Sequence, residues 1–296
     1  MTPKHLGPVV TGLAALALAG AVAAGPADAA TAPARRAGTS DTAHATHSHV
    51  LDVTAVDFSY RVPTHTIRPG LDMIRLHNAG TQPHQADIAR LHDGISVDQF
   101  VTALSQGSGP ALGMVDFRGG VNTIAPGATA VAYSELSSGN YVLLCFAEGA
   151  DRVPHVAKGM VASFKVEGGA DHSRTPATKG TVGLRSYGFD LPDGFGHGTY
   201  EVTNTGDETH EMSLLRVAAG KTAHDVLTYL EAATPPPGPP PFTAAGGIGA
   251  LAPGASGFVK VHLQAGDYVA TCFVPDDQPP HLPHFMKGMF QPFTVT

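Results

Sequence analysis

Residues 139–146 read Gly-Asn-Tyr-Val-Leu-Leu-Cys-Phe, and residues 266–273 read Gly-Asp-Tyr-Val-Ala-Thr-Cys-Phe. Both octapeptides begin at a glycine and lead through tyrosine and valine to a cysteine, which predicts a short strand that ends at the cysteine. Cys145 and Cys272 are the 2 cysteines of the 296-residue chain. They therefore occupy equivalent positions in an internal repeat.

The repeat extends in both directions from these octapeptides. An Asn-x-Gly-x-x-x-His block stands at residues 78–84 and 204–210, and a glycine-rich block ending in Ala-Pro-Gly stands at 120–127 and 247–254. A His-x4-Met block ending in Lys-Gly-Met stands at 155–160 and 284–289. Four blocks in one order, at nearly equal separations, predict two similar domains.

Local patterns predict an all-β fold. Residues 161–166 alternate between apolar and polar positions, which is typical of a strand in a β-sandwich. Ser96 with Gln99, and Thr222 with Asp225, have the spacing of helix-starting capping boxes. With 35 glycines and 24 prolines to supply turns, the chain is predicted to form two tandem β-sandwiches, each with one inserted short helix.

The domain boundaries follow from composition. Residues 1–29 have the charged start, apolar run and Ala-Asp-Ala site of a signal peptide, so the protein is expected to be secreted or periplasmic. Residues 30–48 lack an apolar period and are expected to be a disordered leader. The polar, aperiodic segment 168–179 is the predicted linker, which gives domains at 49–167 and 180–296.

Charge argues against nucleic acid as a partner, and hydropathy argues against a membrane span in the predicted mature chain. The formal net charge of -7 argues against nucleic acid. Beyond the predicted signal peptide, no apolar stretch is long enough to span a membrane.

His44, His47 and His49 form a short cluster before the first domain, where copper capture and a plain disordered leader are both open interpretations.

The order of the blocks resembles the cupredoxins, the blue-copper family of Greek-key β-sandwiches, over almost all of the chain beyond residue 50. The resemblance implies one copper ion per domain and a function in electron transfer. It also implies that electrons pass through the imidazole edge nearest solvent, on His155 or His284. The implied copper ligands are His84, Cys145, His155 and Met160 in the first domain, and His210, Cys272, His284 and Met289 in the second.

These residue types suit copper for a chemical reason. One thiolate, two imidazoles and a weakly bound thioether form the trigonal soft-ligand set typical of copper electron-transfer sites. The cysteine and the second histidine are separated by nine residues in one half and eleven in the other, so long ligand loops are required. His281 with Met286 is a rival register in the second half, but Lys-Gly-Met aligns the repeats on His284 and Met289.

Other interpretations remain open at this point. The cysteines could form a disulfide between the domains, since an exported protein meets oxidising conditions. They could also be buried free thiols of a metal-free binding or scaffold module that kept only the fold. A multicopper enzyme is the least favoured interpretation, because Leu144 and Thr271 precede the cysteines where such enzymes place a histidine. The favoured function is an exported copper protein that carries one electron or delivers copper to a partner which the sequence does not identify.

Overall fold

A computed structural model describes residues 49–106, 108–149, 151–170, 174–234 and 236–296. The expected signal peptide and leader, with His44 and His47, lie outside these residues. None of the helices in the described ranges has the length and apolar character needed to cross a membrane.

The described chain is built mainly of strands. Those of the first half are β1 (Val50–Val56), β2 (Ser59–Arg61), β3 (Thr66–Ile67), β4 (Gly70–Asn78), β5 (His84–Leu91), β6 (Val115–Ile124), β7 (Thr129–Leu136), β8 (Gly139–Leu144) and β9 (Val161–Val166). Those of the second half are β10 (Thr181–Arg185), β11 (Gly188–Asp190), β12 (His197–Asn204), β13 (His210–Val217), β14 (Phe242–Leu251), β15 (Ser256–His262), β16 (Gly266–Thr271) and β17 (Phe290–Val295). The helices are α1 (Val97–Gln106), α2 (Ser108–Leu112) and α3 (Ala223–Glu231). The all-β prediction is confirmed.

Two sheets cross from one half of the chain to the other. The eight-stranded sheet has the order β11-β10-β12-β15-β7-β4-β1-β2, and the nine-stranded sheet has the order β17-β16-β13-β14-β6-β5-β8-β9-β3. The halves meet where β15 pairs with β7 and where β14 pairs with β6, both antiparallel. Backbone hydrogen bonds therefore join the halves in both layers. The division at residues 168–179 stays a prediction.

Each half buries its own hydrophobic core between the two sheets. Cys145 and Met160 lie in the first core cluster, and Cys272 and Met289 lie in the second. The tyrosine of each octapeptide is also buried there, and the Tyr141 hydroxyl donates to the carbonyl of residue 137, four positions earlier, at 2.8 Å. The equivalent bond in the second half is 2.9 Å long. Each octapeptide thus anchors the strand that delivers its cysteine to the core.

The helices agree with the sequence prediction at two points and differ at one. Both capping boxes are present, with the Ser96 amide donating to Gln99 at 2.8 Å and the Thr222 amide donating to Asp225 at 2.8 Å. The first half has a second helix, α2, so the expectation of one helix per half is wrong there. Five residues are too few to show a helical period, and Pro110 is tolerated because it lies in the first turn.

A glycine at the junction of the halves is required by close backbone approach. Gly247 has a φ of +122°, and an added Cβ would collide with the Met212 carbonyl. Gly254 has a φ of +75° and open space around its Cβ position. We expect Gly254→Ala to lower the free energy of unfolding by about 1–2 kcal/mol through backbone strain alone. Gly247→Ala should lower it by more than about 3 kcal/mol, because overpacking adds to strain.

Chemical denaturation of both variants checks this difference. Equal losses of unfolding free energy would show that the close contact between β13 and β14 is not a constraint.

Candidate metal centres

Two buried clusters bring together a cysteine and two histidines. In the first, the donor atoms of His84, Cys145 and His155 lie within 4.8 Å of one another, and the second cluster is formed in the same way by His210, Cys272 and His284. All six side chains belong to residues that are 0% exposed. The structure therefore places the histidine and cysteine candidates of each half at one point.

The spacing of the donor atoms fits a metal ion. In the first cluster the two Nδ1 atoms are 3.1 Å apart, and Cys145 Sγ lies 3.8 Å from His84 Nδ1 and 3.5 Å from His155 Nδ1. A point equidistant from these three corners lies about 2.0 Å from each, close to the length of metal–nitrogen bonds and slightly below that of metal–sulfur bonds. In the second cluster the Nδ1 atoms are 2.9 Å apart, and Cys272 Sγ is 3.5 Å from His284 Nδ1.

Backbone hydrogen bonds close the long ligand loops. The first histidine of each half begins a strand, and the cysteine directly follows the neighbouring strand. In the first half, the His155 amide donates to the Ala147 carbonyl at 2.9 Å, and the Val156 amide donates to the Cys145 carbonyl at 2.7 Å. In the second half, the His284 amide donates to Val274 at 2.9 Å and the next amide donates to Cys272 at 3.0 Å. The same pair of bonds thus tolerates both nine and eleven intervening residues.

The Asn-x-Gly part of the repeat shapes the turn before the first histidine. The buried Asn78 amide donates to the carbonyls of Gln82 and Ile124 at 2.8 and 3.1 Å, and its oxygen accepts from the Gly80 amide at 2.9 Å. Asn204 makes the equivalent three bonds. A Cβ on Gly80 would lie 2.7 Å from His84 Nε2. Asparagine and glycine are therefore both needed to seat the histidine.

Side-chain oxygen atoms contact the Nε2 atom of three of the four imidazoles, on the side of the ring away from the cluster. His84 Nε2 lies 3.0 Å from Asp57 Oδ1, His155 Nε2 lies 3.2 Å from Gln82 Oε1, and His284 Nε2 lies 2.8 Å from Glu208 Oε2. An Nε2–H donated to oxygen leaves the Nδ1 lone pair directed at the cluster centre. Sequence reasoning missed these residues. Gln82 and Glu208 could have been found, since both stand two residues before the first histidine, whereas nothing in the sequence singled out Asp57.

His210 differs from the other imidazoles. Its Nε2 is buried and has no hydrogen-bond partner among the described residues. Around His284, by contrast, Glu208 and Asp276 form a third group of possible ligand atoms on the outer side of the ring. The two halves therefore share the His-Cys-His donor atoms and differ in the charged groups near the Nε2 atoms.

The methionines are placed by the turn that carries the second histidine. The Met160 amide donates to the His155 carbonyl at 3.0 Å, and the Met289 amide donates to the His284 carbonyl at 3.0 Å. Both methionines are 0% exposed and lie in the same core cluster as the cysteine of their half. Of the rival register, His281 is exposed and Met286 is 44% exposed. The structure thus favours His284 and Met289.

An aromatic ring covers the second histidine of each half. Phe58 lies edge-on to His155 with ring centroids 5.1 Å apart, and Tyr187 lies edge-on to His284 at 5.3 Å. The lysine of each Lys-Gly-Met block lies over that ring, at 4.6 and 4.1 Å from its centroid. His155 and His284 therefore have no solvent-facing edge. The turn after the first strand of each half supplies this cover, and the passage of electrons through these imidazoles stays a prediction.

Burial sets the protonation state of the clusters. It lowers the pKa of His155, His210 and His284 to about 4 and also lowers that of His84. Burial raises the pKa of Cys145 to about 12 and raises that of Cys272 well above its ordinary value. At neutral pH the metal-free clusters therefore hold neutral imidazoles and protonated thiols.

Both thiols should be unreactive in the folded, metal-free chain. Cys145 and Cys272 are buried and unpaired, and a thiol with a raised pKa forms little of the nucleophilic thiolate. We expect a thiol-reactive chromophore at pH 8 to titrate two thiols in denaturant and none rapidly in the native chain, with Cys145→Ser leaving one. A disulfide would leave no thiol in denaturant and would contradict both clusters.

Comparisons with known proteins found resemblance to solved structures alone. No family model matches the chain, and no curated protein matches it. A dithionite-reduced auracyanin from the photosynthetic bacterium Roseiflexus castenholzii is 19% identical, with 41% of this chain and 98% of that chain covered and a TM-score of 0.30. Auracyanin A, a blue copper protein from Chloroflexus aurantiacus, is 14% identical, with 41% and 100% covered and a TM-score of 0.29.

A copper-containing nitrite reductase from Thermus scotoductus is 13% identical, with 84% of this chain and 61% of that chain covered and a TM-score of 0.23. These TM-scores are low, so the chemistry of the clusters rests on the residues of this chain. Two β-sheets enclose two cores, and each core holds one buried His-Cys-His cluster at its edge. The two-sheet architecture and the two donor sets of the described residues agree with the cupredoxin-like fold that the sequence predicts.

Proposed function

We propose that this chain is an exported copper protein that transfers one electron at a time. Each half would hold one copper ion, through His84, Cys145, His155 and Met160 in the first, and through His210, Cys272, His284 and Met289 in the second. The observation that supports this most is the pair of buried His-Cys-His clusters with metal-compatible separations. A one-electron change of oxidation state is the chemistry that copper supplies when bound.

The protein's own residues favour copper over a structural zinc ion. Structural zinc sites are usually closed by four strong ligands of cysteine or histidine. Here each half brings one thiol and two imidazoles together, with a buried methionine in the same core. Two imidazoles, one thiolate and a weak axial thioether are the set found in copper electron-transfer sites. Neutral imidazoles are ready to bind a cation without first losing a proton.

Burial of the ligands favours electron transfer over copper delivery. A delivery site must present its ligands to a partner, whereas the six histidine and cysteine ligands proposed here are 0% exposed. The two sheets and the backbone-closed loops hold the donor atoms in place, which limits rearrangement between oxidation states. Electrons would reach the partner through Phe58 and Tyr187, the half-buried rings that contact the second histidine of each half.

Copper loading of the purified protein tests the proposal. We expect a strong blue thiolate-to-copper absorption band, with about half of it lost in Cys145→Ser and about half in Cys272→Ser, because each thiolate is the sulfur donor of one centre. His281→Ala is the matched control, since this histidine is exposed and belongs to the rival register; it should leave the band unchanged.

Absence of the band with two free thiols present would support the metal-free scaffold instead. Retention of the full band in both single cysteine variants would place copper elsewhere.

The pH dependence of copper(I) affinity tests the protonation states. Between about pH 8 and 5.5 the imidazoles are already neutral and the thiol must lose its proton, so the affinity should fall about tenfold per unit decrease in pH. The dependence should steepen as the pH drops through about 4, where the imidazoles of His155 and His284 become protonated. Competition with a colour-forming copper(I) chelator measures this. Steepening near pH 6.5, the ordinary histidine value, would contradict the buried sites.

A further inference from the structure

A cavity lies at the junction of the two halves, on the face of the nine-stranded sheet opposite the cores. Its volume is about 470 Å³, within the range of small-molecule sites. Alternation along the strands explains its position. In β5, Ala86 and Ile88 belong to the first core, so Asp87 faces the other side. In β13, Met212 and Leu214 belong to the second core, so Glu211 and Ser213 face the cavity.

Polar side chains form a preorganised floor. Gln85 Nε2 donates to Asp87 Oδ2 at 2.7 Å, and the Thr123 hydroxyl donates to Gln85 Oε1 at 2.9 Å. Glu211 accepts from Asn122 Nδ2 at 2.9 Å and from the Phe273 amide at 3.0 Å. Asp87 is 1% exposed, and its Oδ1 is buried with no hydrogen bond of normal geometry. The backbone amide of Ala250 on β14 also approaches this carboxyl group, so the neighbouring strand fixes its position in the cavity lining.

The cavity is acidic. Asp87, Glu211, Asp276 and Asp277 line it, whereas no lysine or arginine does, and His281, whose Nδ1 donates to the Asp276 carbonyl, is the basic side chain in its lining. Asp276 is paired with Lys287, and neither Asp87 nor Glu211 forms an ion pair with a basic residue in the described ranges. Buried carboxyl groups without an oppositely charged partner are costly unless a proton or a cation neutralises them. A bound cation would provide that neutralisation.

The walls indicate what kind of cation fits. Phe117 and Phe146 stand together with ring centroids 6.2 Å apart, and Phe273 comes from the other half. Leu215 and Val115 add aliphatic surface. Aromatic faces attract ammonium groups, and apolar walls need an apolar body to cover them. A hydrated metal ion would leave this apolar surface without a partner.

We propose that the cavity binds a small organic cation, an ammonium group on an aromatic or aliphatic body. The ammonium group donates to the carboxyl groups of Asp87 and Glu211 on the floor, and the body packs against Phe117, Phe146 and Phe273. Entry is past the exposed Gly113 and Asp277 at the rim. The site is formed without a metal, so it stands or falls independently of the copper centres.

Calorimetric titration of the metal-free full chain tests the proposal, with 2-phenylethylammonium chloride as the cationic probe and 2-phenylethanol as its neutral counterpart. We expect the ammonium probe to bind at least tenfold more tightly than the alcohol. Asp87→Asn combined with Glu211→Gln should reduce ammonium affinity at least tenfold and leave alcohol affinity unchanged. Asp98→Asn combined with Glu135→Gln makes the same charge change at exposed positions and should have no effect. Methyl NMR shifts at Leu215 and Val115 should report the site.

Several outcomes would overturn the proposal. They are equal affinity for the two probes, unchanged ammonium affinity in the cavity variant, and methyl shifts that leave Leu215 and Val115 unmoved. Tighter binding of calcium chloride than of the ammonium probe would show an inorganic cation site instead. If the cavity variant fails to fold, the comparison of the two probes and the methyl shifts on the unmodified chain still decide the question.

Discussion

Two backbone hydrogen bonds in each half hold the second histidine of each candidate metal centre beside the cysteine. One runs from the amide of the second histidine to the carbonyl two residues after the cysteine. The other runs from the next amide to the carbonyl of the cysteine itself. Without them, loops of nine and eleven residues would leave the histidine free to sample many positions. With them, each loop returns to the same place whatever its length, because the extra residues bulge beyond the closed pair. The methionine then follows from a single turn starting at the histidine.

The sequence predicted the features that repeat and missed those that arise between elements. The octapeptides, the capping boxes and the alternation that indicates an all-β fold are local patterns, so one sequence is enough to predict them. The strand pairing of β14 with β6 depends on the shapes of two distant segments, and only the paired glycines at 119–120 and 246–247 hint at close approach. Phe58 is an unremarkable residue in the sequence, yet it covers His155. Tyr187 covers His284 from the equivalent turn of the second half, but these two segments belong to none of the repeat blocks that singled out residues in the sequence.

The choice between His281 and His284 illustrates the same limit. Spacing alone allows either histidine to accompany Cys272, and the alignment of Lys-Gly-Met gave only a preference. In the fold, the exposed His281 donates from Nδ1 to the Asp276 carbonyl at 2.8 Å, whereas His284 lies beside Cys272. Strands β5 and β13 also present residues on both faces of the nine-stranded sheet. Their core-facing residues build the two hydrophobic cores, and their other face supplies the carboxyl groups of the junction cavity.

X-ray absorption spectroscopy of the copper-loaded protein tests the central claim most directly, because it measures the atoms bound to copper. The account predicts a shell of two nitrogen atoms and one sulfur atom for each copper ion, at about 2.0 Å and about 2.2 Å, with sulfur lost in a Cys145→Ser and Cys272→Ser double variant. A shell of nitrogen and oxygen atoms alone, in the unmodified chain, would contradict it.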